Sequence, residues 1–270
     1  MTARSQGIGA GVAAGRAEGA APWAWLAVAA YLAMVAMNAL ANTLPLFGNT
    51  TAEVSRRYPT LFTPAPFTFA VWGAIYAALA AFVVYQALPA QRGDPRLAAA
   101  RPLFVLSSLL NVAWLTAWHA DRIVLSELLM LALLACLIAL YRRVQAWLAP
   151  ASAAQRWLLD VPFSLYLGWI SVATVANTSI TLVSLGVDAG AAATAVTVTV
   201  VAVAAALGLA AVVARRDPAF ALVVAWGLYG VSAARRGESA AVSGAALALS
   251  LLLVAAAAWA LARRANARAA

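Results

Sequence analysis

The sequence contains no lysine, a single cysteine and few charged residues of any kind. Charged residues make up 10% of the 270 positions, 65% are hydrophobic, and the mean hydropathy is +0.89. A soluble domain carries far more charge on its surface, so this composition indicates a polytopic helical membrane protein. Because Cys136 is the only cysteine, the chain has neither an intramolecular disulfide nor a cysteine-based metal site.

Motifs for several common chemistries are missing as well. We find no Ser/His/Asp set, no phosphate-binding glycine loop and no cluster of metal ligands, so the sequence predicts no catalytic residue and no metal site. The only histidine, His119, cannot supply two axial ligands to a haem. The net charge of +9 comes from arginines in short segments between apolar runs, which indicates membrane topology rather than nucleic-acid binding.

Eight apolar stretches are long enough, or nearly long enough, to cross a bilayer as helices. Their approximate bounds are 22–43, 66–88, 102–119, 123–141, 157–185, 190–214, 218–234 and 240–262. The seventh stretch lies near the lower length limit for a span.

The arginines divide unequally between the two sets of loops. The two tails and the loops near 90–101, 142–156 and 215–217 hold thirteen arginines, whereas the opposite loops hold five. Basic residues concentrate in cytoplasmic loops. We therefore expect a multi-pass protein in the plasma membrane of a bacterial cell, with both termini in the cytoplasm.

Four of the spans carry one face of aromatic and amide residues. In the fifth span this face holds Pro162, Tyr166, Trp169, Ala173 and Asn177, whose spacings of 4, 3, 4 and 4 follow the turn of a helix. The corresponding faces of the first three spans hold Tyr31, Met34, Asn38 and Asn42; Phe69, Trp72, Tyr76 and Val83; and Ser107, Asn111, Trp114 and Trp118.

These four faces have two interpretations. Amides that bond across helices and rings that fill gaps would be ordinary helix packing, and any single residue fits that reading. An unpaired amide is costly in lipid, however, so the faces should turn toward one another. Taken together they favour a shared cavity that suits a large, flat, mostly apolar ligand.

Three motifs on these spans resemble the TspO/MBR family of tryptophan-rich membrane proteins. The second span reads FTPAPFTFAVWGAIY, a proline-rich segment that runs into V-W-x-x-x-Y. The third span carries L-N-x-x-W at Asn111 and Trp114, and the fifth carries W-x-x-x-A-x-x-x-N from Trp169 to Asn177. The resemblance covers roughly residues 22–186, and three further spans follow.

The resemblance implies an all-α polytopic membrane protein. Its expected parts are a disordered tail at 1–21, a five-helix TspO-like bundle at 22–186, about three appended transmembrane helices at 187–264 and a tail at 265–270. The family implies that the bundle binds or senses a porphyrin, a haem-like tetrapyrrole or another flat apolar ligand, and no other cofactor is expected. The implied pocket residues are Asn38, Phe69, Trp72, Tyr76, Asn111, Trp114, Trp169, Ala173 and Asn177. The implied lid residues are Tyr58, Phe62 and Phe67.

Two other functions remain open at this stage. The protein could transport tetrapyrroles or lipids, in which case the intramembrane acid Glu127 would be a proton or charge site. It could instead degrade porphyrins at the tryptophan cluster. The last three spans are expected to form a buttress or an oligomer surface, with completion of a transport pathway as the alternative. The expected partners are therefore membrane lipids, a small apolar ligand and, for an oligomer surface, a second copy of the chain in a homodimer.

Overall fold

The structure is a computed structural model that describes residues 2–146 and 152–269, with side chains described at 22–146, 152–264 and 266. The helices, in chain order, are α1 (Thr2–Thr43), α2 (Thr51–Arg57), α3 (Val71–Ala87), α4 (Pro95–His119), α5 (Ile123–Gln145), α6 (Ala153–Gln155), α7 (Val161–Ser184), α8 (Ala193–Arg215), α9 (Pro218–Ala234) and α10 (Ala240–Ala269). Short 3-10 turns lie at Pro66–Ala70, Pro89–Gln91 and Gly190–Ala192, and a π-helical turn at Arg156–Asp160 leads into α7.

The helices confirm an all-α polytopic membrane protein. Seven segments of the described chain are long and apolar enough to cross a membrane: Pro22–Thr43, Pro66–Ala87, Pro95–His119, Ile123–Gln145, Ala153–Ser184, Gly190–Arg215 and Ala240–Arg264. They lie close to the corresponding sequence-derived spans. The largest difference is in α4, which begins seven residues early because the Asp94 side chain caps it and Pro95 occupies the first helical position.

Helix α9 is the eighth apolar segment. Its 17 residues rise about 26 Å, which is less than the roughly 30 Å of a hydrocarbon core. Most of its length is buried by α7, α8 and α10. A helix surrounded by other helices does not itself have to match the thickness of the lipid, which accounts for its short length.

Helix α1 begins at Thr2, although the sequence predicts a disordered tail over residues 1–21. The alanines of this stretch favour a helix, whereas its glycines oppose one. Helix α10 likewise continues to Ala269, through the predicted tail at 265–270. Residues 1 and 270, the outermost positions of the two tails, lie outside the described residues.

Five of the helices form a closed ring. Around it, α1 packs against α4, α4 against α5, α5 against α7, α7 against α3, and α3 against α1. Helices α8, α9 and α10 pack together, and α9 joins them to the ring through α7. The buried core continues from the ring into these three helices. We call the end of the ring that carries residues 44–65 the loop end.

Arg101 ties α1, α3 and α4 together at the opposite end. Its buried guanidinium donates from Nε to Gln86 Oε1 at 2.8 Å and from Nη2 to Gln86 O at 2.8 Å. Further bonds reach the carbonyls of Gln91 at 3.2 Å and Arg92 at 3.1 Å. Gln86 Nε2 donates to Ala24 O at 3.0 Å. Arg101, expected from the sequence to be a loop arginine, is a buried group that satisfies one carbonyl in the last turn of α3 and two carbonyls of the turn that follows.

Helix α9 is fixed at both ends. At its start, Asp217 accepts hydrogen bonds from the Phe220 amide at 3.1 Å, Tyr141 Oη at 2.9 Å and Ser164 Oγ at 2.6 Å. These bonds link α9 to α5 and α7 through one carboxylate. Near its middle, Trp226 Nε1 donates to the Thr68 carbonyl at 2.8 Å, and towards its other end the Gly230 carbonyl accepts from the Ala65 amide at 3.0 Å. The appended helices are thus joined to the ring by polar contacts as well as by apolar packing.

Glycines set the separation of α7 and α9. A Cβ placed at Gly227 would lie 2.8 Å from Val172 Cγ1, and one at Gly168 would lie 3.1 Å from the Phe220 carbonyl oxygen. Small residues at such crossings let two helix backbones approach closely.

We expect Gly227→Ala to destabilise the protein by about 1–3 kcal/mol, because the stiff Val172 side chain cannot move away from the new methyl group. Gly244→Ala is the matched control, since a Cβ there meets nothing within 4 Å. It should be neutral or stabilising by up to about 1 kcal/mol. Thermal unfolding of both variants in the same detergent tests this, and equal midpoints for the two would refute the close α7–α9 contact.

Candidate functional site

Aromatic side chains from α3 and α7 meet inside the five-helix ring. The Trp72 ring stacks on Tyr76, with centroids 5.2 Å apart and an interplanar angle of 18°. It makes edge contacts with Tyr166 at 5.9 Å and with Trp169 at 6.4 Å, and Phe69 makes a further edge contact with Trp169 at 5.7 Å. We call these five residues the ring group. Trp169 and Tyr166 are almost fully buried, whereas Phe69 is 42% exposed.

The pair formed by Asn38 and Asn111 lies beside the ring group. Asn38 Nδ2 donates to Asn111 Oδ1 at 2.9 Å and to the Met34 carbonyl at 2.9 Å. The Met34 sulfur accepts from Tyr166 Oη at 3.8 Å, which connects this pair to the ring group. Both asparagines are buried, so α1 and α4 meet through amides that the sequence places on their inner faces.

Two polar atoms in this region have no well-formed hydrogen bond. Tyr76 Oη is buried without a partner, although its backbone carbonyl accepts from Tyr31 Oη at 3.0 Å. Asn111 Nδ2 faces the Tyr166 hydroxyl without completing a well-aligned bond to it. Buried polar groups normally find a partner, and each exception calls for an explanation. Both atoms are hydrogen-bond donors, so the region offers donors to a molecule with acceptor groups.

Trp114 and Asn177 belong to a separate polar group centred on Glu127. Asn177 Nδ2 donates to Glu127 Oε2 at 2.6 Å, and Thr178 Oγ1 donates to Glu127 Oε1 at 2.6 Å. On its other side, Asn177 Oδ1 accepts from Trp114 Nε1 at 3.2 Å, and Ser126 Oγ lies 3.3 Å from Asn177 Nδ2. We call these five residues the acid group. They connect α4, α5 and α7 on the loop-end side of the ring group.

The described partners of Glu127 are neutral. No ion pair joins it to Arg122, five residues earlier, within the described side chains. The carboxylate is 8% exposed and is held by neutral donors from α7. Ser126 and Thr178 were not singled out from the sequence. Each is adjacent in the sequence to a residue that was singled out, Ser126 to Glu127 and Thr178 to Asn177. Their contacts become predictable only when α5 and α7 are known to be neighbours.

Ala173 lies on the same face of α7, one turn from Trp169 and one from Asn177. It is half-buried and packs against the core. Its small side chain leaves the space between the ring group and the acid group without a bulky residue from α7.

Residues 44–65 attach to the turn between α4 and α5. Arg57 forms an ion pair with Asp121 at 2.9 Å and also donates to Asn49 Oδ1. Asn49 Nδ2 donates to the His119 carbonyl at 2.9 Å, and Thr51 Oγ1 lies 3.2 Å from His119 Nε2. These contacts fold the segment over one side of the loop end. His119 is therefore a buried anchor for this segment.

Two titratable side chains of this segment have shifted pKa values. The Thr50 hydroxyl and amide lower the pKa of the exposed Glu53 carboxyl, with which they form a capping box for α2. The capping box therefore contributes its full stability above the ordinary carboxyl pKa and loses it as the pH falls through the lowered value. Burial and the neighbouring Asp121 carboxylate raise the pKa of Tyr58, whose hydroxyl donates to Asp121 Oδ1 at 3.3 Å.

The expected lid residues lie in three different environments. Tyr58 bonds to Asp121, and Phe62 is buried in the core at 2% exposure. Phe67 contacts α9, with ring centroids 5.6 Å from Trp226 and 5.9 Å from Tyr229. That the proline-rich entrance to α3 packs against an appended helix was not predictable from local sequence, because such a contact depends on how distant spans pack.

The fold and these side-chain groups define a polytopic helical membrane protein with an aromatic and amide site inside its first helices. A family model described as TSPO-like protein matches residues 24–259, and the chain belongs to this family. The match extends from α1 into α10, so it includes the appended helices as well as the five-helix ring. Comparisons with curated proteins and with solved structures found no match.

We expect Asn177→Ala to destabilise the protein by about 2–4 kcal/mol. The change leaves Glu127 Oε2 and Trp114 Nε1 without their partner in a buried site, and an unpaired buried charge is especially costly. Asn42→Ala is the matched control, because Asn42 bonds only to the Asn38 carbonyl on its own helix. Thermal unfolding of the two variants decides the point, and an Asn177→Ala midpoint as high as that of the control would contradict it.

Proposed function

We propose that the protein binds and senses a flat apolar ligand of the porphyrin class inside the five-helix ring. The observation that carries the proposal is the ring group, in which Trp72 lies against Tyr76, Tyr166 and Trp169 at aromatic contact distances. A flat macrocycle stacks on such rings and gains apolar burial at the same time. Membership of the TSPO-like protein family supports a role in membrane binding or sensing.

The polar atoms next to the ring group suit the edge of such a ligand. Tyr76 Oη and Asn111 Nδ2 are buried donors without a well-formed bond. Carboxylate groups on the rim of a porphyrin are strong acceptors, so these two donors would pair with the rim while Trp72 and Trp169 contact the macrocycle. The stacked Trp72–Tyr76 pair would open to admit the ligand, with the macrocycle taking the place of one ring.

The acid group would frame the other side of this ligand. Asn177 and Trp114 are bonded to each other and, through Asn177, to Glu127, so they provide a fixed wall rather than free polar contacts. Ala173 would allow the macrocycle to approach the α7 backbone. Residues 44–65 and Phe67 would cover the loop end once the ligand is bound.

The arginine distribution supports a plasma-membrane location with both termini in the cytoplasm. In this orientation the loop end faces outward, so the ligand reaches the ring group from outside the cell or from the outer half of the bilayer.

Purified protein titrated with protoporphyrin should show a saturable shift of the porphyrin absorption band. Replacing Trp72 and Trp169 together by Phe should weaken binding about tenfold, because two large stacking surfaces are lost. The matched control replaces Trp25 and Trp157, which are 59% and 68% exposed, by Phe. An affinity that is the same in both double variants would place the ligand elsewhere.

Weakening the loop-end attachment should speed ligand exchange. Asp121→Asn removes the ion pair with Arg57 and keeps a residue type that tolerates the positive φ of 54° at this position. An exposed pair of this kind is worth up to about 1 kcal/mol, so porphyrin dissociation should accelerate by up to about fivefold. The rate is measured by stopped-flow displacement. Glu238→Gln, which breaks the Arg235–Glu238 pair instead, should leave it unchanged, and equal rates in the two variants would rule out a covering role.

A further inference from the structure

A cavity lies on the outer side of the ring. It is a groove of about 340 Å³ between α7, α8 and the start of α9. Apolar side chains dominate its walls, among them Val172, Leu182, Val203, Leu207 and Phe220. It lies on the opposite side of α7 from the ring group, because Trp169 and Asn177 face the interior whereas Val175 and Leu182 face α8.

The groove is long. Its α7 wall runs from Ser171 to Leu182, which is about 16 Å at the helical rise per residue. Most of the lining side chains are apolar, so an extended alkyl chain can lie along this wall.

Three hydroxyl groups along the groove already donate hydrogen bonds to carbonyls of their own helix. Ser171 Oγ donates to the Leu167 carbonyl at 2.8 Å, and Thr174 Oγ1 donates to the Ile170 carbonyl at 2.7 Å. In the same way Ser179 donates to its own helix at 2.8 Å. A hydroxyl has one proton and two lone pairs, so these groups can offer only acceptors to a molecule in the groove.

Thr178 connects the groove to a buried negative charge. Thr178 is one of the residues that line the groove, and its hydroxyl donates to Glu127 Oε1 at 2.6 Å. The other carboxylate oxygen accepts from Asn177, so both described partners of the acid are neutral. A carboxylate in a membrane span without a cationic partner attracts positive charge. The groove therefore has an apolar length and, near Thr178, a site that favours a cationic donor.

We propose that this groove binds a single-chain amphiphile with a protonated amine head. The alkyl chain of the amphiphile lies against the apolar walls. Its ammonium group donates to Thr178 Oγ1, which itself donates to the Glu127 carboxylate. Thr178 lies about 9 Å inside the loop-end terminus of α7, so the head must be compact, which excludes the bulky headgroup of a two-chain phospholipid. This site lies on the other side of α7 from the ring group and shares Thr178 and Glu127 with the acid group.

Binding of radiolabelled nonylamine to the purified full-length chain at pH 7 tests the proposal, because its chain matches the roughly 10 Å of wall between Thr178 and Ser171. The amine should bind at least tenfold more tightly than nonanoic acid, with nonanol between them, because the three differ in head charge and donor capacity. Thr178→Val should reduce amine binding severalfold, whereas Thr199→Val, which removes an exposed hydroxyl of α8 outside the groove, should not. Glu127→Gln should bring the amine down to the affinity of the alcohol.

Filling the groove provides an independent test. Val203→Trp should abolish amine binding, while Leu251→Trp on α10 should not, although the two positions are similarly exposed at 55% and 60%. Porphyrin binding, followed by absorbance, should survive in Val203→Trp, so the two sites can fail separately. Equal binding of the three heads would overturn the proposal, as would undiminished binding by Val203→Trp. A groove covered by a second copy of the chain, detected as a doubled mass that Val203→Trp restores to a monomer, would also overturn it.

Discussion

Polar atoms inside a bilayer must find their partners within the chain, and this constraint shapes the whole structure. At one end, the buried Arg101 guanidinium donates to the side-chain and backbone oxygens of Gln86 in α3 and to the Gln91 carbonyl. At the start of α9, Asp217 accepts hydrogen bonds from one hydroxyl of α5 and one of α7. Near the loop end, Glu127 is held by Asn177 and Thr178. Each charged group bonds to residues of at least one other helix, so satisfying these groups also fixes which helices are neighbours.

The same constraint separates the interior residues into two kinds. Asn177 has both ends of its amide engaged, one by Glu127 and one by Trp114, and therefore acts as structure. Tyr76 and Asn111 retain donor atoms without a well-formed partner in an otherwise satisfied interior. Binding free energy is more favourable when a ligand accepts from unpaired buried donors than when it must first break hydrogen bonds between helices. Residues with similar sequence patterns thus have different capacities to bind a ligand.

Hydropathy and helical spacing predicted much of this arrangement. The spans were predictable because apolar length is a property of local sequence, and the contact between Trp72 and Trp169 followed from two faces that had to turn away from lipid. The docking of Phe67 on α9 was not predictable, because it depends on how two distant spans pack. Arg101 was misassigned to a loop because residue type suggests exposure, whereas its burial depends on carbonyls supplied by a different helix.

The appended helices change what α7 can do. In a five-helix ring alone, the outer face of α7 would meet lipid, and the hydroxyls of Ser171, Thr174 and Ser179 would only bond back to their own helix. Helix α9 packs closely against α7 at Gly168 and Gly227, whereas α8 makes fewer contacts with α7. The outer face of α7 therefore forms one wall of a groove. Helix α7 then presents aromatic and amide groups inward and acceptor hydroxyls outward. Asn177 and Thr178, adjacent on the helix but on different faces, both bond to Glu127, so a single carboxylate adjoins both sides.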